Sequence, residues 1–370
     1  MYYLDCNATT CVAPAVLDAM LPWFTDHFGN AASVHAPGRA AAAAVATART
    51  QVAEAIGARP CQVVFTSGST EANNLALRGV SERVVCPAAE HKAVLDTVRS
   101  LGGVVVAVDG TGRVDVGALE AACDGAALVS VMLANNETGV LNDLEAVVAV
   151  GHAAGCLVHS DMTQALGKIP VDVTELGLDL ASFSAHKLHG PKGVGALFVA
   201  RRTLLTSTIT GGGHEGGVRS GTLNVPGIVG FGAACALEPA APGAVAGVAG
   251  RLLEILEAAG GVEVFSDHTR GLPNTLSVRF VGVDGEALMA QCPEVAMSVG
   301  SACTAAVPEP SHVLAAMGVP GPAAFETVRL SIDACTTVAD AEVAGRLIVA
   351  AVDRVRGYAR SAPVPGMVGS

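Results

Sequence analysis

The chain has 370 residues, room for one large domain and a smaller one, and its net charge of −12 argues against a general binder of nucleic-acid backbone. Apolar residues make up 51% and aromatics only 4%, so the core must be built mainly from Ala, Val and Leu. The ten cysteines include no CxxC pair, which speaks against a zinc or iron–sulfur site and fits buried thiols in a reducing compartment. The opening MYYLDCNATT has neither a basic nor an apolar region of a signal peptide, and no apolar run reaches the roughly 18 residues of a membrane span. The expectation is a soluble, cytoplasmic protein.

In chain order, the first long element is RAAAAAVATARTQVAEAIG (39–57), an alanine-rich helix closed by a glycine cap. From about residue 60 to 200, short Val-rich runs alternate with helical patterns. The runs at 62–66, 83–86, 104–108, 127–133, 156–161, 180–184 and 195–199 read as strands. They are not alternating, as befits strands buried on both faces. Helices are expected between them at 90–101 and 143–155. This rhythm is that of an α/β doubly wound sheet, whose ligands bind at the C-terminal ends of the strands. Near 235–250 the composition turns rich in Pro, Ala and Gly, which marks a domain boundary, a linker helix, or both. Beyond it, 274–280 and 327–332 alternate like half-exposed strands among helices, which indicates a smaller α+β domain. The tail is rich in Pro, Gly and Ser and is expected to be disordered.

The polar residues at the strand ends carry the chemistry. FTSGSTEANNLAL (65–77) runs from strand through a Gly/Ser turn into a helix, so Ser69 and Thr70 can help cup a phosphate; an ordinary capped helix has the same pattern. His91, just after a strand end, can stack on a ring and move protons, or simply serve the helix start. Asn136 in LANNETG can reach a ligand or merely turn the chain. Asp161 ends a buried strand and so needs a cation, unless it only caps a helix; Gln164 follows three residues later. SFSAHKLHGPKG (182–193) sets Lys187 beside Ser184 and His186, an amine next to an anion cup. That is what a pyridoxal phosphate (PLP) site requires, although a surface lysine would fit an isolated SxHK. GGGHEGGVRSGTLN (211–224) reads as a mobile loop with an anion-binding end or as a plain linker. Cys303 lies among small residues before Pro308 and Pro310, where a thiol can be exposed and nucleophilic; the other nine cysteines are expected in apolar strand or helix contexts.

Together these segments resemble the cysteine desulfurases, PLP enzymes of fold type I in the class V aminotransferase family, and within them the NifS/IscS-like group I branch. The resemblance runs in order over roughly residues 2–355 and rests on YLDCNATT, FGNAASVH, VVFTSGSTEANNLA, EHKAVLDT, NNETGV, DMTQALGK, SFSAHKLHGPKGVGALFV, GGGHEGGVRSGTLN, GSACTAAVPEPSHVL and VRLSI. It implies a mainly parallel seven-stranded sheet flanked by helices in residues 15–240, with a small α+β domain in 241–357. Residues 1–14 would pack on the small domain, and 358–370 would be a tail. It implies that Lys187 is the Schiff-base lysine, His91 the ring-stacking histidine, Asp161 the pyridine-nitrogen partner and Gln164 the phenolate contact. Ser69, Thr70, Ser184 and His186 would hold the phosphate, with Thr222 reaching it from the second subunit of a homodimer. Asn136 and Arg329 would bind the carboxylate of L-cysteine, with Asn136 also near the cofactor. Cys303 would take the sulfur as a persulfide and pass it to an acceptor protein.

The resemblance has gaps. Cys6, Asn7 and Ala31 depart from the usual DNAATT or DYSATT and FGNP patterns, in places expected to lie outside the chemistry. The long tail extension that binds the usual iron–sulfur scaffold has no counterpart, which leaves the acceptor open. Rival readings are a selenocysteine lyase, a cysteine or cystine C–S lyase, and a non-catalytic partner-binding scaffold.

Overall fold

The computed structural model describes residues 1–80, 83–267, 269–300 and 309–361, with side chains to residue 358. After a short strand β1 (Tyr2–Tyr3) come β2 (Val63–Thr66), β3 (Val84–Pro87), β4 (Val104–Val106), β5 (Leu128–Ser130), β6 (Leu157–Asp161), β7 (Leu180–Ser184) and β8 (Gly195–Val199). The last seven form one sheet in the order β2-β8-β7-β6-β5-β3-β4. Only β8 runs against its neighbours, β2 and β7. The fold is therefore a mainly parallel seven-stranded α/β sheet, as the Val-rich runs imply. Strands β2, β3, β5 and β7 are buried at every residue, because helices cover both faces. The run at 127–133 is regular only to Ser130; beyond it Val131 and Leu133 still donate to His159 and Asp161 while the chain bends toward the site.

The alanine-rich segment is the helix Ala36–Ala55. It starts where the His35 side chain accepts from Gly38 N–H, and its buried stripe is Ala41, Val45, Ala48 and Val52. Gly57 follows it with φ 69°, a conformation that favours glycine. The Pro/Ala/Gly-rich stretch spans the end of the helix Val225–Cys235 and the start of the helix Pro242–Glu257.

A second sheet is built from β9 (Val262–Val264), β10 (Thr275–Phe280), β12 (Ser298–Val299) and β13 (Thr327–Ser331), in the order β12-β13-β10-β9, while β11 (Val295–Ala296) pairs with β1. Its core gathers Leu252, Leu276, Phe280, Leu330 and Ile348, and Leu4 joins it from the N-terminal segment. Register β10–β13 sets Ser277 against Arg329. The last helix, Val338–Ser361, continues past residue 357. Among the described residues no helix is long and apolar enough to cross a membrane.

Candidate active site

The C-terminal ends of β2, β3, β5, β6 and β7 converge on one region, where an α/β sheet offers unpaired backbone groups and helix N-termini. Beyond β2, Gly68 precedes the helix Ser69–Gly79 and no side chain caps it. Its first N–H groups are thus left for an anion. Ser69 and Thr70 line a cavity of about 420 Å³ together with Ser184, His186 and Lys192. The close approach is backbone-made: a Cβ on Gly195 would stand 2.7 Å from Gly68 Cα. His186 Nδ1 lies 3.1 Å from Thr9 Oγ1, and burial, with Lys187 and Lys192 nearby, pushes its pKa down to about 4. The four expected phosphate residues are thus brought together. Thr222 is exposed and does not line this cavity.

Asp161 ends β6 and is 4% exposed. Its Oδ2 accepts from Asn73 Nδ2 at 2.7 Å and its Oδ1 from Thr163 N–H at 3.0 Å. Among the described residues no Lys, Arg or His forms an ion pair with it. Asn73 Oδ1 and Thr163 Oγ1, both buried, also have no hydrogen-bond partner among the described residues. A buried carboxylate without a cation suits a cationic ring nitrogen.

Lys187 follows β7 and donates to the carbonyls of Asn7 and Ala8 at 2.5 and 2.7 Å. Burial and then the Arg329 guanidinium lower its pKa to about 8, partly opposed by Asp161 and Asp5. His91 begins the helix Lys92–Ser100 by accepting from Ala93 N–H through Nδ1. Desolvation, then Lys187 and His312, hold it below the usual imidazole range, against the pull of Asp161. A cavity of about 380 Å³ is lined by His91, Asn136, Glu137, His312 and Arg329. Arg329 donates to Asn136 O and Asp5 Oδ1 at 3.0 and 2.7 Å, while its buried Nε lacks a partner among the described residues. Cys303 lies outside the described residues; Gly300 and Glu309, on either side of that stretch, line the same cavity.

Two expectations need correction. Asn7 does touch the site. It is 1% exposed, and its carbonyl accepts from both Lys187 and Gln164. Its side chain accepts from Lys168 and donates to Asn136 O and Thr275 Oγ1. The reason is topological: the N-terminal segment crosses between the two sheets, bonding β13 through Cys6 N–H and Lys187 through Asn7, which a motif comparison does not reveal. Second, Cys11, Cys61 and Cys335 are exposed, because they sit in an extended stretch, a one-turn helix and a turn rather than in strands or long helices.

The sequence also left several participants unnamed. Glu90, fully buried, accepts from Met132 N–H, and burial raises its pKa well above the usual carboxylate range. Glu137 accepts from Ser311 Oγ, and its pKa is likewise raised by burial. Its place in NNETG, next to Asn136, was the one available signal. Glu215 pins the glycine-rich loop by a two-pronged pair with Arg49 and by accepting from Phe65 N–H.

The aminotransferase class-V family model matches residues 2–343. The chain belongs to the aminotransferase class-V family. A cysteine desulfurase of Frankia sp. (strain EuIK1) is 44% identical over 98% of this chain and 94% of its own. A solved NifS-like protein is 35% identical with a TM-score of 0.89, over 95% of this chain and 99% of that one. The structure of SspA in complex with cysteine is 33% identical with a TM-score of 0.81, covering 90% and 99%. The class-V family uses pyridoxal phosphate, and the residues here fit that group. The uncapped helix start suits its phosphate, the cation-free Asp161 its ring nitrogen, and the depressed amine of Lys187 its aldehyde carbon.

Proposed function

We propose that this chain is a PLP-dependent cysteine desulfurase that converts L-cysteine to L-alanine and holds the sulfur as a persulfide on Cys303. The carrying observation is the common lining of one cavity by His91, Asn136, Arg329 and both flanks of the Cys303 segment. Bound PLP supplies the electron sink that stabilises negative charge at the substrate's Cα. Ser69, Thr70, Ser184 and His186 would hold its phosphate, Asp161 its ring nitrogen and Gln164 its phenolic oxygen, with His91 beside its ring. Lys187 would anchor it and is the base placed to take the Cα proton; burial and Arg329 lower its pKa to about 8 in the chain itself, so part of the amine is unprotonated near neutral pH. Arg329 and Asn136 receive the substrate carboxylate, and the unpartnered Nε offers a donor for it.

The Cys303 thiolate attacks the substrate sulfur. The new S–S bond forms as the Cβ–S bond breaks, the bonding pair stays with the carbon skeleton, and protonation there leaves alanine. A C–S lyase would need no such thiol, and a mere scaffold would need no Lys187–Asp161–His91 set. Thr222, exposed and not lining the phosphate cavity of its own chain, suits a homodimer in which it serves the second copy. The described cysteines are free thiols, as a reducing cytoplasm would keep them. The sulfur then passes to an acceptor protein.

The test is mass spectrometry of the holoenzyme after brief exposure to L-cysteine. An added sulfur on the peptide carrying Cys303, lost in Cys303→Ser together with sulfide release, supports the reading. Sulfide release at the parent rate by Cys303→Ser would favour the C–S lyase instead. Cys11, Cys61 and Cys335, exposed as they are, serve as internal controls in the same digest.

A further inference from the structure

Lys168, a half-buried lysine near the site, has no part in the mechanism above. Lys168 Nζ donates to Gln164 Oε1 at 2.6 Å and to Asn7 Oδ1 at 2.8 Å. Asn7 Oδ1 is itself held by Asn274 Nδ2 at 3.1 Å, and Asn7 Nδ2 by Thr275 Oγ1 at 2.8 Å. The charged and titratable groups around Lys168 are Lys187, Cys6, Arg329 and Asp333.

We propose that Lys168 is a positioning residue that fixes which edge of the Gln164 amide faces the cofactor. The two edges of an amide have nearly the same shape, so only their partners choose between them. Lys168 faces the amide oxygen, and in its ammonium form, which burial and the nearby Lys187 confine to pH below about 7, it is donor-only and can face nothing else. The opposite edge must then be the NH₂, and its present partner, the Asn7 carbonyl 3.0 Å away, is an acceptor only. Both neighbours therefore enforce the same orientation. A turned amide would point its oxygen at an anionic phenolic oxygen and two nitrogens at each other. Asn7 gives Lys168 its second side-chain acceptor.

The inference rests on the reading of Gln164 as the phenolic-oxygen donor, and the experiment separates the two. The holoenzyme's visible absorbance is titrated with pH in the parent, Gln164→Ala, Lys168→Met, the double variant and Lys168→Arg. Gln164→Ala should move the midpoint by about one pH unit, the size of one hydrogen bond to a charged oxygen. Lys168→Met should move it by a similar amount in the same direction, and the double variant no further. Lys168→Arg, again donor-only, should restore the parent midpoint. Additive shifts in the double variant would mean that Lys168 acts by its charge alone and overturn the proposal. So would an unshifted Lys168→Met beside a shifted Gln164→Ala, with the reading of Gln164 left intact. No shift in Gln164→Ala would remove both. Should Lys168→Met fail to fold, Lys168→Gln, whose amide can present either edge, runs the same cycle and must again match Gln164→Ala without adding to it.

Discussion

Asn73 donates to Asp161 across 2.7 Å, and both side chains are buried where β6 ends. One amide and one backbone N–H hold the carboxylate in place, and among the described residues no Lys, Arg or His pairs with it directly. The pair is a socket for a cation, and its loss should be felt through that cation. Asp161→Asn keeps the shape and removes the charge. We expect turnover to fall on the order of 100-fold or more, the scale of losing one preorganised electrostatic contact. PLP content by absorbance should fall as well. Asn73→Ala should weaken both less severely. Full activity in Asp161→Asn would remove Asp161 from the site.

Lys187 titrates near 8 rather than at its ordinary value of 10.5, with burial as the first cause. Its folded pKa is below its unfolded one, so between those values the unfolded chain binds the extra proton. Apoprotein stability should therefore rise with pH from about 8 to about 10.5 as far as this group decides it. The same shift governs reactivity. The rate at which apoprotein recaptures PLP should climb through about pH 8 and then level, measured by stopped-flow absorbance. A climb that continues to the ordinary lysine range would show that the amine is not desolvated. Lys187→Ala should abolish the visible band.

How far the sequence carried this picture depends on the range of the interactions. The seven strands were legible because burial on both faces writes itself as unbroken Val-rich runs, and the strand-end places of Ser69, Asp161 and Lys187 were legible because each stands at the end of such a run or just past it. Asn7 was not, since its role comes from bonds to Thr275, Asn136 and Lys168, residues 268, 129 and 161 positions away. The glycine-rich segment 211–224 reads as a loop from composition, but Glu215 at its centre is fixed by Arg49, 166 positions away. Local pattern reports local structure, and these contacts are long-range.

That Glu215–Arg49 pair should be the loop's main anchor. Glu215 holds a φ of 50°, its side chain is 1% exposed, and Arg49 meets it through two nitrogens at 2.7 and 2.6 Å. Arg49→Met would strand the carboxylate. Roughly 3–5 kcal/mol of stability should be lost, read as a fall of the holoenzyme's midpoint in denaturant. Adding Glu215→Gln removes the stranded charge and keeps an acceptor for Phe65 N–H, so the double variant should be more stable than Arg49→Met alone. Equal stability of the two would show that the pair is not what holds the loop.

Thr222 offers the sharpest test of shared sites. It is exposed and does not line the phosphate cavity of its own chain. If it serves the second copy, a site consists of Lys187 from one chain and Thr222 from the other. Thr222→Ala should weaken PLP retention about tenfold, the loss of roughly one charge-assisted hydrogen bond, and Lys187→Ala should be inactive. Chains carrying either change, mixed and allowed to exchange, would form hybrid dimers. One site of each hybrid then carries both defects and the other carries none. Activity at low PLP should therefore rise above the mean of the two parents, toward half the parent enzyme per hybrid. If Thr222 acts within its own chain, every hybrid site keeps one defect and mixing gains nothing. Sedimentation of the same samples fixes the fraction of dimer, so an absent gain can be assigned to cis action rather than to chains that never paired.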